Sequence, residues 1–240
     1  MSEVSRARAF DRRLYMAAAI LFPVIVVAGF ARTYYLRGFL GGPPLPSMVV
    51  HAHGLVMTAW VALFAAQVWL ISSRRVRVHQ RLGSAGVVLG VLILGTGLAA
   101  AVRAAKYGSA STPPDVPPLA FLAVPLFDLL MFAVFFGAAI YHRRRPAAHK
   151  RLMLLTVVNF LPPAIARIPI ASLQAAGPLW FFGFPTFLVL LFLWLDARTH
   201  GLNRIFLVGT LLLIASYVVR LAIMGTDAWM RVALWLTSFA

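Results

Sequence analysis

The sequence predicts an all-α integral membrane protein: seven transmembrane helices, the N-terminus cytoplasmic, the C-terminus outside, and a short C-terminal interfacial helix. Three observations carry this expectation. Of 240 residues, 62% are hydrophobic and only 12% are charged, with a mean hydropathy of +0.88. A soluble domain is nearer a quarter charged, so the matching solvent is lipid. The apolar residues also gather into runs long enough to cross about 30 Å of hydrocarbon at 1.5 Å per residue. Finally, the 22 Lys and Arg outnumber the 6 Asp and Glu and cluster between the runs.

The first run, roughly 14–31, follows Arg6, Arg8, Arg12 and Arg13 and extends through about Gly29 with no clear A-x-A cleavage site. It reads as a retained signal-anchor helix. The other runs cover roughly 51–72, 83–103, 119–141, 152–173, 179–196 and 205–224. The last stretch, "DAWMRVALWLTSFA" (227–240), is short and carries Trp, which suits a helix lying in the membrane interface and a contact surface for another subunit. Connections 38–46 and 108–118 are rich in Gly and Pro, cannot be helical throughout, and are too short for a soluble domain. The expectation is a single transmembrane domain over 1–240, with core helices at about 51–173.

Alternate connections are basic. The N-terminal segment is followed by Arg74, Arg75, Arg77 and Arg81, then Arg143, Arg144, Arg145, Lys150 and Arg151, then Arg198 and Arg204. The basic side is expected to face the cytoplasm, in a bacterial inner membrane. Anionic headgroups of the bilayer explain the net charge of +16 better than nucleic acid does.

Several chemistries are excluded. The absence of cysteine removes disulfides, thiolate nucleophiles and iron–sulfur clusters. Lys106 and Lys150 both lie outside the spans, so no lysine is placed for a retinal Schiff base. No P-loop, HExxH or GxSxG is present, and no nucleophile set marks the chain as an enzyme.

Polar residues inside spans are costly and are candidates for function. Asp128, Arg167 and Arg220 fall in the outer halves of the fourth, fifth and seventh spans, on the side where His51 and His53 open the second, and Asn159 lies deeper in the fifth, just before Pro162 and Pro163. Two readings stand. In one, Asp128 pairs with Arg167 or Arg220 as a structural ion pair. In the other, the group lines a polar cavity for an anion, a quinone-like or lipid headgroup, or haem propionates.

The second span opens on "HAHG" (51–54). On a helix, positions i and i+2 point about 200° apart, so His51 and His53 are a poor two-ligand metal motif. His53, Trp60 and Gln67 recur every seven residues, with Met57 and Phe64 between them, forming one stripe. That stripe is either packing with polar glue or a wall beside a planar cofactor. A weak repeat links "RRVRVHQRLG" with "RRRPAAHKRLM". It starts the third and fifth spans with His-x-Arg-Leu and sets His79 and His149 at the same membrane face. Two histidines on neighbouring spans can hold haem b, and adjacent Arg side chains can meet its propionates. The alternative is a pair of interfacial histidines at the ends of Arg clusters. His142 and His200 read as solvent-facing.

Through "RTYYL" (32–36), "HAHG" (51–54), "VHQRLG" (78–83) and "AHKRLM" (148–153), the chain resembles a group of uncharacterised bacterial multi-pass membrane proteins. The histidine-led helix starts are also similar to those of the ascorbate-dependent transmembrane cytochromes b. That resemblance implies electron transfer, with His53 (or His51), His79 and His149 at three of four haem-ligand places. The fourth place, in the fourth span, holds no histidine: Asp128 lies there, and His142 falls only at its cytoplasmic end. The resemblance therefore supports at most one haem, ligated by His79 and His149. The expected function is a b-type cytochrome-like protein for electron transfer or redox sensing. The alternative is an accessory membrane subunit of a larger complex, or a binder of a small ligand, lipid or quinone in the outer cavity.

Overall fold

The computed structural model describes residues 3–44, 47–109, 112–113 and 115–239. Positions 45–46, 110–111 and 114, parts of the two Gly/Pro-rich connections, lie outside the described residues. All regular structure among the described residues is helical.

Helix α1 (Glu3–Phe30) continues through a π-helical turn, Ala31–Tyr35, and is followed by α2 (Met48–Ser72) and α3 (Val76–Tyr107). A short turn α4 (Pro118–Phe121) leads into α5 (Ala123–Tyr141). Next come α6 (Pro146–Val158) and α7 (Leu161–Ile165), then the short turns α8 (Ala171–Ala175) and α9 (Pro178–Phe181). The chain closes with α10 (Gly183–His200), α11 (Arg204–Ile223) and α12 (Asp227–Thr237).

Six helices among the described residues are long and apolar enough to cross a membrane: Ser5–Tyr35, Met48–Ser72, Val76–Tyr107, Pro118–Tyr141, Pro178–His200 and Arg204–Ile223. The expected fifth run, 152–173, is not one of them. It breaks between α6 and α7 and leaves the helical path at Ala166. Pro162 and Pro163 are the physical cause. Neither has an N–H for the ladder, and their rings crowd the carbonyls of Val158 and Asn159.

Yet α6 and α7 form the most enclosed part of the fold. Six successive residues from Leu154 to Asn159 are buried, as are Leu161, Pro162, Ala164 and Ile165. From Leu152 to Val158 the chain is apolar apart from Thr156, and a stretch apolar on all faces belongs inside other helices; α1, α5, α10 and α11 all pack on this segment. The closest approach is at Gly29 of α1, where a Cβ would strike the carbonyl of Ala164. The outward faces instead carry Ile20 and Val24 on α1, Val88 and Val91 on α3, Phe187 on α10 and Val218 on α11, all exposed.

The C-terminal α12 is an 11-residue helix, too short to span hydrocarbon. Thr226 caps it by accepting from the Trp229 N–H. Trp229 Nε1 donates to the carbonyls of Leu119 and Ala120, which ties α12 to α4. Trp235 stays exposed on the other side.

Candidate functional site

The basic end of the bundle brings His79 and His149 together. Pro146 occupies the first turn of α6, where its missing N–H is harmless. This sets His149 one turn into α6, opposite the first turn of α3. Both α3 and α6 pack on α5. The two rings lie 6.5 Å apart between centroids, at an interplanar angle of 83°.

The last turn of α5 fixes the His149 ring. Helix ends leave their final carbonyls without helical partners, and Ala139 O meets His149 Nδ1 at 2.9 Å. A carbonyl only accepts, so Nδ1 is the donor in this contact. Across from it, His79 Nδ1 is buried with no hydrogen-bond partner, and so is Gln67 Oε1 on α2. Buried polar atoms are normally satisfied, so two such orphans at this end are informative.

The half of the bundle away from this basic end holds a second polar group. Arg220 Nη1 donates to Asp128 Oδ1 at 2.5 Å, with the two side chains 0% and 6% exposed. Arg220 Nε donates to Ser216 O at 3.1 Å, Nη2 to Ser216 Oγ at 3.0 Å, and Nη1 also to Val124 O at 3.4 Å. The Phe182 and Tyr217 rings stack with centroids 4.6 Å apart, and both lie against the guanidinium. Asn159 Nδ2 donates to Asp128 O at 2.8 Å. Asn159 Oδ1 and the Tyr217 hydroxyl are buried without partners.

Arg167 takes no part in the Asp128 pair. Its Nη1 donates to Pro163 O at 2.6 Å, and its guanidinium lies over the Phe30 ring. Of the two arginines that the sequence offers to Asp128, packing selects Arg220.

The "HAHG" histidines part company as helical geometry requires. His51 Nδ1 meets the Tyr34 hydroxyl at 3.2 Å, on the π-helical extension of α1. His53 Nδ1 meets Thr96 Oγ1 at 3.3 Å, on α3. A Cβ on Gly97 would lie 3.3 Å from His53 Cε1, so this glycine admits the ring between α2 and α3. Trp60 is buried, with the Phe132 and Phe136 rings set edge-on to it at 5.1 and 5.3 Å. That face of the stripe is filled by protein. Neither His51 nor His53 is brought to His79 and His149.

Sequence reasoning missed a third cluster. Arg151, read as one of the orienting charges, is 3% exposed and its Nε donates to Asp196 Oδ2 at 2.8 Å. Asp196 is 1% exposed. Lys150 Nζ lies 2.6 Å from Asp11 Oδ2, and His200 Nε2 lies 2.9 Å from Asp11 Oδ1. His200, read as solvent-facing, is at the surface but tied to the first helix. The available signal was an aspartate, one of six acids in the chain, at the end of the apolar run before "ARTH".

No protein-family model, curated protein or solved structure matches the chain.

Proposed function

We propose that this is a membrane-embedded b-type cytochrome-like protein, holding one haem between His79 and His149 and working in electron transfer or redox sensing. The observation that carries the reading is the geometry of the two rings. Two imidazoles in line on one metal, with metal–nitrogen bonds of about 2.0–2.1 Å, bring their centroids to about 6.4 Å. The observed separation is 6.5 Å. His149 Nδ1 is held by a backbone carbonyl, a contact usual for a metal-ligating histidine, which would leave Nε2 as the ligand atom. The buried Nδ1 of His79 has no hydrogen-bond partner, which leaves this nitrogen available as a ligand atom. Arg75, Arg77, Arg81 and Arg145 stand in the adjoining turns, where cationic side chains meet propionates. Haem iron would supply one-electron chemistry, and His79 and His149 would hold and orient it.

The reading extends to topology. The basic end faces the cytoplasm by the distribution of Arg and Lys, in the inner membrane of a bacterium. The α6–α7 segment acts as a seventh, broken crossing. Its Lys150 meets Asp11 of α1, while its Ala164 meets Gly29 of the same helix. Between Asp11 and Gly29 an α-helix rises about 27 Å at 1.5 Å per residue. Broken helices of this kind are tolerated where they are surrounded by protein.

The test is a reduced-minus-oxidised absorption spectrum of the purified chain after expression with haem precursor. A Soret and an alpha band are expected, lost in His79→Ala and in His149→Ala but kept in His142→Ala. A colourless wild type would sink the reading.

A second reading has its own observation. The unpartnered Tyr217 hydroxyl and Asn159 Oδ1, beside the Asp128–Arg220 pair, suit a polar group of a small ligand, a quinone or a lipid. In that case the chain is a non-enzymatic binder or an accessory subunit, with the exposed side of α12 as its contact surface. Mass spectrometry of an organic extract of the purified protein decides it. A stoichiometric lipid or quinone lost in Tyr217→Phe is expected, and an empty extract removes this reading.

A further inference from the structure

We propose that Asp11, Asp196 and His200 are the protein ligands of a divalent first-row transition-metal site at the basic end of the bundle, separate from the His79–His149 pair. One ligand atom from each of the three residues lies within 4.8 Å of the other two. Asp11 comes from α1, and Asp196 and His200 from the last turns of α10. Residues i and i+4 of one helix share a face, so α10 presents a carboxylate and an imidazole together. Asp11 closes the group from the facing helix.

Each carboxylate has one oxygen held by a cation and a second oxygen left over. Arg151 Nε holds Asp196 Oδ2, while Asp196 Oδ1 is buried without a partner. An acceptor sealed from water with no donor is costly and rare. It is the observation, independent of the clustering, that points to a missing positive partner. Lys150 holds Asp11 Oδ2, and Asp11 Oδ1 faces His200 Nε2 at 2.9 Å. A carboxylate only accepts, so Nε2 carries a proton along that line. A metal ion takes the place of this proton, which leaves to solvent as the ion binds.

Asp11 and His200 also line a cleft of about 550 Å³, bounded by the start of α6 and the α10–α11 turn. Three protein ligands with a fourth position open to a cleft is the coordination of a reactive rather than a closed structural zinc site. One imidazole with two carboxylates suits Zn²⁺, Fe²⁺, Mn²⁺ or Co²⁺ and disfavours the softer Cu⁺. Lys150 and Arg151 offset the two carboxylates. Arg151 is buried and fixed, but Lys150 is part-exposed and also lies 5.4 Å from the Tyr15 ring.

The test uses the full-length protein in detergent, stripped of metal and titrated with Co²⁺ alone, read by its visible ligand-field absorption. Wild type is expected to bind one Co²⁺ saturably. His200→Ala and Asp11→Asn should each lose the saturable signal. Lys150→Gln should tighten binding about tenfold, because one like charge beside the ion is removed. His79→Ala and His149→Ala should leave the signal in place, which separates this site from the haem pair. No saturable Co²⁺ in wild type overturns the proposal, as does unchanged binding in His200→Ala and Asp11→Asn. If either variant fails to fold, Lys150→Gln decides, and an unchanged affinity there overturns the proposal.

Discussion

Arg220 is fully enclosed, and its guanidinium meets a carboxylate, a hydroxyl and two carbonyls. Removing one member of such a pair strands a charge in a low-dielectric interior, at a cost of about 3–5 kcal/mol. Arg220→Met alone should therefore destabilise strongly. Replacing both partners, with Asp128→Leu added, should recover most of the loss. A double-mutant cycle by thermal unfolding in detergent measures this, and additive single losses would show that the two do not act as a pair. The sequence already placed both arginines at the depth of Asp128. It did not show which of them turns toward it, because that depends on the rotation of each helix against its neighbours. The Asp11–His200 contact was still less legible, since it joins residues 189 positions apart. Nothing local in "FDRR" or "ARTH" announces the meeting.

At the scale of elements, the contact between α1 and α7 is set by a missing side chain. Gly29 lets the α7 backbone approach until a Cβ would overlap Ala164 O. Backbone cannot rotate aside as a flexible side chain can, so Gly29→Ala should cost about 1–3 kcal/mol. Gly95 on α3 is the control, with nothing within 4 Å of its added Cβ. Gly95→Ala should be neutral or slightly stabilising through helix propensity. Melting temperatures of the two variants in one detergent make the comparison; equal shifts would mean that the close approach does not matter. Helix positions were readable because runs of apolar residues have a length that the bilayer imposes. The break at α6–α7 was half readable. The proline pair at 162–163 was visible, but an uninterrupted run to 173 was expected. Hydropathy does not register the loss of backbone hydrogen bonds.

For the whole molecule, orientation can be tested cleanly because the native chain has no cysteine. Single cysteines placed at Arg77, Arg144 and Leu202 should resist a membrane-impermeant maleimide in intact cells and react after lysis. Cysteines at Gly41, Thr112 and Gln174 should react in intact cells. Labelling of both sets from outside, or the reverse pattern, would overturn the assignment of the basic end to the cytoplasm. The broad architecture was the most legible level of all, since composition and charge spacing report the solvent directly. The site was legible only as candidate residues, because polar side chains in a bundle acquire partners through packing that one-dimensional spacing does not encode.

The enclosed α6–α7 segment bears on how the chain is made. Insertion from the translocon favours segments that partition into lipid unaided, and charged or polar residues within a segment oppose this. This segment is only 13 residues before its break and carries Arg151 and Asn159, followed by two prolines. It is therefore a poor independent inserter whose affinity is for its neighbours. Of the helices that pack on it, α1 and α5 precede it in the chain, but α10 and α11, which supplies Arg220, follow it. Its packing against α10 and α11 can therefore be completed only after those later helices have been made.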